Sequence, residues 1–105
     1  MASVVVALGS NLNNPHHQLK EARSFLENIS EGSIKYSSIY SSEPIGPSEY
    51  DFLNSIVVIN TAKTVQEVFD MLKYQEKKQG RPSRYPKWTA RNIDLDIIAY
   101  DDLVL

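Results

Sequence analysis

The chain has 105 residues, 42% of them hydrophobic and 23% charged, which is typical of a single globular domain over residues 1–105 and excludes disordered or collagen-like chains. It has no cysteine, so disulfides and thiolate-bound metal centres are excluded. Its apolar runs are far shorter than the ~20 residues of a membrane span, and no signal peptide is evident. We therefore expect a cytoplasmic protein with no membrane partner.

The net charge of −2 conceals an uneven distribution of charge. Residues 73–91 hold seven of the eleven basic residues and one of the thirteen acidic residues, a net +6, which leaves −8 for the rest of the chain. A basic segment in an acidic protein favours a local anionic ligand over nucleic acid, which usually meets a broader basic surface. The alternative is a solvated helix end and loop.

The first half of the chain predicts a strand, a helix and a second strand. The β-branched run at residues 3–8 indicates a buried strand, which Gly9 to Asn11 are expected to break. Asn14 as N-cap and Pro15 at the first helical position predict a helix that extends to Ser30. Alternating side chains then predict one strand over residues 34–41, followed by a Pro-rich loop over residues 42–50.

The second half repeats the alternation of strand and helix. Residues 52–61 predict a third strand, and the capping box of Thr64 and Glu67 opens a second helix that ends near Gly80. The inward face of that helix is expected to consist of Val65, Val68, Phe69 and Leu72. A second Pro-rich loop is predicted over residues 81–89, a fourth strand over residues 93–100, and an extended segment from Leu103.

The order β-α-β-β-α-β is the split βαβ arrangement of ferredoxin-like α+β domains. We therefore predict a mostly antiparallel sheet with two helices on one face. Both Pro-rich loops are longer than most connections in compact domains, and such loops are usually either functional or disordered.

Asp94 and Asp96 form the sharpest chemical signal. Residues two apart in a strand share a face, so both carboxylates should project away from the face of Leu95. Two adjacent carboxylates favour a bound cation, which is often Mg²⁺ that also binds phosphate oxygens. The alternative is an exposed strand face or an ion pair with Arg91.

The loop before this strand is cationic and contains the single tryptophan, Trp88. Its arginines can donate to phosphate, and the indole can stack on a ring or close over a ligand. Trp88 could equally anchor the loop against the core. Phe52 and Asn54 share a strand face and could stack on and hydrogen-bond to a flat heterocycle, although Phe52 could instead belong to the core.

Five segments together resemble the 6-hydroxymethyl-7,8-dihydropterin pyrophosphokinase family: ALGSNL (7–12), SIYSSEPIGP (38–47), DFLN (51–54), QGR (79–81) and WTARNIDLD (88–96). The resemblance spans the chain in order. It departs from the family at Thr89 and Ala90, where Gly-Pro is usual, and at Ser83, where some members carry an arginine.

The resemblance implies an ATP- and Mg²⁺-dependent transferase of folate biosynthesis, which moves pyrophosphate from ATP to the pterin hydroxymethyl group and releases AMP. It implies two Mg²⁺ ions on Asp94 and Asp96. The implied catalytic residues are Arg81, Arg91, Asp94 and Asp96. The implied pterin site is Ser42, Ile45, Phe52, Asn54, Trp88 and Asp94, and the implied ATP site is Lys73, Glu76, Arg81, Arg84, Trp88 and Arg91. Expected partners are the two substrates and neighbouring enzymes of folate synthesis.

Family members continue beyond the position of Leu105, so the chain is expected to lack a C-terminal part that supplies a histidine, further arginines and a second stacking aromatic. Two other interpretations stay open. One is a non-catalytic module that binds pterin or nucleotide, and the other is an interaction domain with incidental acids. The acidic pair beside Arg91 favours the enzyme over the interaction domain.

Overall fold

A computed structural model describes residues 1–42, 52–80 and 92–105. In chain order, its elements are β1 (Ala2–Ser10), α1 (Pro15–Ile29), β2 (Lys35–Tyr36), β3 (Tyr40–Ser42), β4 (Phe52–Thr61), α2 (Val65–Lys78), β5 (Asp94–Tyr100) and β6 (Leu103–Val104). The predicted order of strands and helices is confirmed. The predicted loops at 42–50 and 81–89 lie outside the described residues, except for Ser42, which ends β3.

The strands form a six-stranded sheet in the order β2-β4-β1-β5-β6, with β3 also paired to β4. All the strand pairs found in the described residues are antiparallel. β1 lies in the middle of the sheet, between β4 and β5. This is the ferredoxin-like α+β fold that the sequence predicts.

Both helices begin where their caps predict. The Asn14 side chain accepts a hydrogen bond from the His17 backbone N–H, and Pro15 is the first helical residue. Thr64 and Glu67 form the reciprocal capping box, which satisfies two backbone N–H groups at the start of α2. These local bonds explain why the helix starts could be predicted from the sequence alone.

The core lies between the sheet and the two helices. Its fully buried side chains come from every long element and form one cluster, which includes Val4, Val6, Leu8, Leu19, Leu26, Val57, Ile59, Val68, Leu72, Ile93 and Leu95. Because α1 and α2 both contribute to this cluster, they cover the same face of the sheet. The opposite face, termed the open face below, presents alternate residues of β1, β4 and β5.

Three local predictions were wrong. Gly9 and Ser10 do not break the first strand but belong to β1, where they pair with β4. The strand predicted over residues 34–41 is interrupted between Tyr36 and Tyr40. Phe69 is 45% exposed and does not face the core, because α2 turns Gln75 and Glu76 inward beside Val68 and Leu72.

Phe69 instead lines a groove of about 270 Å³ between α2 and β5, together with Val65, Gln66, Asp96, Ile97 and Leu105. Its ring also lies 5.3 Å from the Lys73 Nζ atom. Among the described residues, no helix is both long and apolar enough to cross a membrane.

Candidate active site

Three strands bring Asn54, Gly9 and Asp94 into one row on the open face. Gly9 of β1 is the register partner of Asn54 on one side and of Asp94 on the other. Directly paired residues of antiparallel strands point to the same face, and neighbouring strands lie about 4.8 Å apart. A neutral carboxamide and a carboxylate therefore flank a residue without a side chain.

Asn54 is held by hydrogen bonds to β3 and to its own strand. Its Nδ2 atom donates to Ser42 Oγ at 2.8 Å, to the Tyr40 carbonyl at 3.4 Å and to the Phe52 carbonyl at 3.4 Å. These bonds orient the amide plane. Ser42, Phe52 and Asn54, three of the residues expected at the pterin site, are thus brought together.

Gly9 is buried between these side chains. A Cβ atom built on it would lie 3.4 Å from Asn54 Oδ1 and 3.5 Å from Phe52 Cδ1. The Asn54 acceptor and the Phe52 ring therefore both lie within contact distance of the position that a side chain at residue 9 would occupy. Gly9 was expected to break the strand, and its place in the site was missed; the signal that could have found it is a glycine at the end of an apolar strand run.

Asp94 and Asp96 lie on the open face, as the strand spacing predicted. Leu95 between them is fully buried, whereas Asp94 is half-buried and Asp96 is exposed. Their register partners on β1 are the small residues Gly9 and Ala7. Asp94 is thus the member of the pair nearer to Asn54.

Lys73 and Glu76 lie on the opposite side of β5, on α2. Glu76 is 2% exposed, and its Oε2 atom accepts the Leu95 backbone N–H at 2.7 Å. The Lys73 Nζ atom lies 3.2 Å from Glu76 Oε1 and donates to the Leu95 carbonyl at 3.4 Å. This ion pair satisfies both backbone groups of Leu95, on the side of β5 away from β1, where β6 pairs only with Ala99 and Tyr100.

The ends of the second long connection are also joined. The Asn92 Nδ2 atom donates to the Gln79 carbonyl at 2.6 Å, and Asn13 donates to Asn92 Oδ1 at 2.7 Å. Gly80 has φ of 105°, a conformation that favours glycine, and a Cβ there would lie 2.5 Å from Asn92 Nδ2 and displace that side chain. Asp94 follows two residues after this junction.

Five of the expected site residues, Ile45, Arg81, Arg84, Trp88 and Arg91, lie outside the described residues. The others form two groups on the open face, a neutral one on β3 and β4 and an acidic one on β5, with the Lys73–Glu76 pair behind β5. The described residues contain no group of three or more His, Cys, Asp or Glu side chains that could hold a metal ion. An aspartate pair still fits Mg²⁺, which is usually bound by one or two carboxylates together with phosphate oxygens and water.

The fold and this face define a ferredoxin-like α+β domain with a two-part polar surface. A family model described as 7,8-dihydro-6-hydroxymethylpterin-pyrophosphokinase matches residues 5–105. The chain belongs to this family.

Curated relatives agree with the family assignment. A 2-amino-4-hydroxy-6-hydroxymethyldihydropteridine pyrophosphokinase of Haemophilus influenzae is 36% identical over 100% of this chain and 66% of its own length. The protein of the same description from Pseudomonas aeruginosa is 35% identical over 97% of this chain and 64% of its own length. A folate synthesis bifunctional protein of Arabidopsis thaliana is 33% identical over 92% of this chain and 20% of its own length. The chain thus spans just under two-thirds of the length of the first two relatives.

Proposed function

We propose that the chain transfers pyrophosphate from ATP to 6-hydroxymethyl-7,8-dihydropterin, in folate biosynthesis in the cytoplasm. The observation that carries the proposal is the row Asn54–Gly9–Asp94, which joins a neutral surface suited to a heterocycle to an acidic one suited to metal-bound phosphates. The family assignment and the descriptions of the relatives support the same reaction. The bifunctional relative supports neighbouring enzymes of folate synthesis as partners.

The proposed reaction has a simple balance. The hydroxymethyl oxygen of the pterin forms a bond to the β-phosphorus of ATP, and the bond from that phosphorus to the oxygen bridging the α-phosphate breaks. AMP leaves, and the hydroxyl group loses its proton. Such a transfer needs positioning and charge neutralisation more than covalent catalysis, so two substrates held on one rigid face suit it.

The neutral group on β3 and β4 would bind the pterin. Asn54 Oδ1 offers an acceptor beside Gly9, and the Phe52 ring can stack on the flat heterocycle. The hydroxyl of Ser42 orients the amide of Asn54 through the 2.8 Å bond. Ile45 and Trp88 are proposed to complete the pterin pocket.

Asp94 and Asp96 would hold Mg²⁺, with two ions proposed. When bound, the metal neutralises the charge on the phosphate oxygens. Asp94 lies in the row with Asn54 and would also orient the attacking hydroxyl group, whereas Asp96 lies one further pair along β5. The open face thus offers both carboxylates to the nucleotide from one side.

The remaining proposed roles concern the nucleotide. Arg81, Arg84 and Arg91 would donate to phosphate oxygens, and Trp88 would close over the bound substrates. Lys73 and Glu76 would act on the nucleotide site through β5, because they hold the backbone of the residue between Asp94 and Asp96.

The test combines calorimetry with AMP release. The chain should bind Mg·ATP, and chromatography should detect AMP only when ATP, Mg²⁺ and the pterin are all present. Asp94→Ala and Asp96→Ala should each lower the affinity for Mg·ATP about a hundredfold or more. Both variants should keep the circular dichroism spectrum of the wild type, because neither side chain enters the core.

Asp102→Ala is the matched control, since Asp102 is an exposed acid in the β5–β6 turn. It should keep both binding and AMP release. Unchanged Mg·ATP affinity in both site variants would overturn the metal assignment. Binding of both substrates without AMP formation would instead support a non-catalytic binding module.

A further inference from the structure

The segment that runs from β2 through β3 to Ser42 contains one extra residue relative to β4, with which both strands pair. Tyr36 pairs with Val57, and Tyr40 pairs with Asn54, so three residues of one strand lie opposite two residues of β4. This is a β-bulge, and it shifts the register by one position. A one-residue shift exchanges the two faces of a strand.

The bulge changes the hydrogen bonding of Ser37. In a regular pair, two facing residues exchange both N–H···O bonds. Ser37 donates its N–H to the Ile56 carbonyl at 2.8 Å, but the Ile56 N–H donates to the Ser37 side-chain hydroxyl, also at 2.8 Å. The Ser37 carbonyl is thereby released from the ladder and needs another donor.

Arg23 of α1 is that donor. One nitrogen of its guanidinium group donates to the Ser37 carbonyl at 2.8 Å and to Ser55 Oγ at 2.5 Å. Ser55 is fully buried on the helix side of β4. The guanidinium also lies 5.0 Å from the centre of the Tyr36 ring, and the Tyr36 hydroxyl donates to Glu27 of the same helix. Arg23 therefore contacts both sides of the bulge, Tyr36 before it and β4 opposite it.

We propose that Arg23 is a positioning residue for the pterin surface, because it stabilises the bulge that turns Ser42 toward Asn54. With the bulge, Ser42 pairs with Phe52 and its hydroxyl lies 2.8 Å from Asn54 Nδ2. Without it, the register of Tyr36 and Val57 would continue, Ser41 would face Phe52, and Ser42 would point to the other face. The inference rests on the proposed function for its ligand, but its structural part is measurable without any ligand.

Proton NMR distinguishes the two registers directly. Because Ile56 turns its N–H toward Ser37, the alternation of an antiparallel ladder makes Ser41–Leu53 a non-hydrogen-bonded pair with close Hα atoms. The chain should therefore show an Hα–Hα Overhauser peak between Ser41 and Leu53. In the register without the bulge, the corresponding peak would join Tyr40 and Leu53.

Arg23→Leu keeps apolar volume and removes the donors. We expect the Ser41–Leu53 peak to be lost or replaced by Tyr40–Leu53, and the affinity for 6-hydroxymethylpterin to fall by about tenfold, with Mg·ATP affinity unchanged. Arg23→Lys keeps one charged donor and should restore the peak and part of the affinity. Lys20→Leu, an equal loss of charge at an exposed position of the same helix, should change neither.

Retention of the Ser41–Leu53 peak in Arg23→Leu overturns the proposal, whatever the pterin affinity. A shifted register with full pterin affinity overturns the link to the ligand. If the wild-type chain binds no pterin, the proposed function fails while the peaks still decide the role of Arg23.

Should Arg23→Leu not fold, Ser55→Ala removes one of the two acceptors of the Arg23 guanidinium group. The Ile56 amide should then exchange about tenfold faster, and unchanged exchange overturns the proposal.

Discussion

At the end of the sheet where β1 finishes, Asn54, Gly9 and Asp94 lie in a row on the open face. At the end where β1 begins, polar side chains instead join segments that are distant in the chain. Glu31 accepts hydrogen bonds from Thr61 Oγ1 and from the Ala62 backbone N–H, both at 2.6 Å, and Asp101 accepts the Ser3 backbone N–H at 2.7 Å. The first is termed the site end and the second the far end.

The difference suggests that substitutions at the two ends should be measured by different quantities. A far-end side chain bonds to a neighbouring strand or connection that is distant in the chain, so its loss should lower the free energy of unfolding. A site-end side chain on the open face contributes little to the core, so its loss should lower ligand affinity.

Glu76 is expected to be an exception, because it lies at the site end and yet its loss should lower the free energy of unfolding. Glu76→Ala leaves the buried Leu95 N–H without its acceptor and Lys73 without its partner. Hydrogen bonds to charged groups contribute about 1.5–3 kcal/mol, so we expect the free energy of unfolding to fall by about 3 kcal/mol in urea titrations. Glu76→Gln, which keeps an acceptor, should lose about half as much.

Asp70→Ala is the control for this prediction. Asp70 lies on the same helix, is exposed and bonds to Gln66, so its loss should change the free energy of unfolding by less than about 0.5 kcal/mol. Equal stability of Glu76→Ala and Asp70→Ala would contradict the role of Glu76 in holding β5.

Asn54 and Asn60 give a matched pair on one strand. Asn54→Ala and Phe52→Ala at the site end should weaken pterin binding by about 1–3 kcal/mol, with far less effect on Mg·ATP. Asn60→Ala at the far end removes a 2.7 Å bond to the Ser33 carbonyl, so it should reduce stability and leave pterin affinity unchanged. Calorimetry with each ligand measures the difference. Equal losses of affinity for both ligands would point to general unfolding, which circular dichroism would reveal.

The features that the sequence could predict depend on residues close together in the chain. Both helix starts depend on residues three apart, Asn14 with His17 and Thr64 with Glu67, so a short pattern is sufficient. The shared face of Asp94 and Asp96 follows from the two-residue period of a strand. The βαββαβ order followed from the same local patterns, and the sheet then had few possible arrangements.

The features that the sequence missed depend on contacts between distant residues. The bulge at Ser37 depends on Arg23, which lies 14 residues earlier on a helix, and the burial of Glu76 depends on Leu95, 19 residues later. Gly9 was taken for a turn because local propensity cannot show that the strand continues to pair. The expected roles of Arg81 and Trp88 stay predictions.

Gly9→Ala tests whether stability and pterin affinity are separate at the centre of the row Asn54–Gly9–Asp94. The added methyl group meets Asn54 and Phe52 at ordinary contact distances, and alanine costs a strand about 0.5–1 kcal/mol less than glycine, so stability should hold or rise. The methyl group would occupy the proposed pterin surface and should lower pterin affinity by about five- to tenfold, roughly 1 kcal/mol. Gly32→Ala, the same change at the far end, should leave that affinity intact. A Gly9→Ala protein with full pterin affinity would show that the ligand does not lie over Gly9.

Glu31 gives the smallest expected effect and tests the far end by pH. The hydrogen bond from Thr61, then that from the Ala62 backbone N–H, lower the pKa of Glu31 below its usual value, and nearby Lys63 acts in the same direction. A carboxyl group with a lowered folded-state pKa stabilises the fold above its unfolded pKa of about 4.3, and this contribution disappears as the pH falls through the folded value. Glu31→Gln should therefore be less stable than the wild type near neutral pH, and the two proteins should converge in acid.

Urea unfolding across this range measures the convergence, with Asp102→Asn as a control for the loss of one negative charge at the same end. Parallel curves for wild type and Glu31→Gln would mean that the Thr61 and Ala62 bonds do not favour the charged form, and pterin affinity should be unaffected at neutral pH in either case.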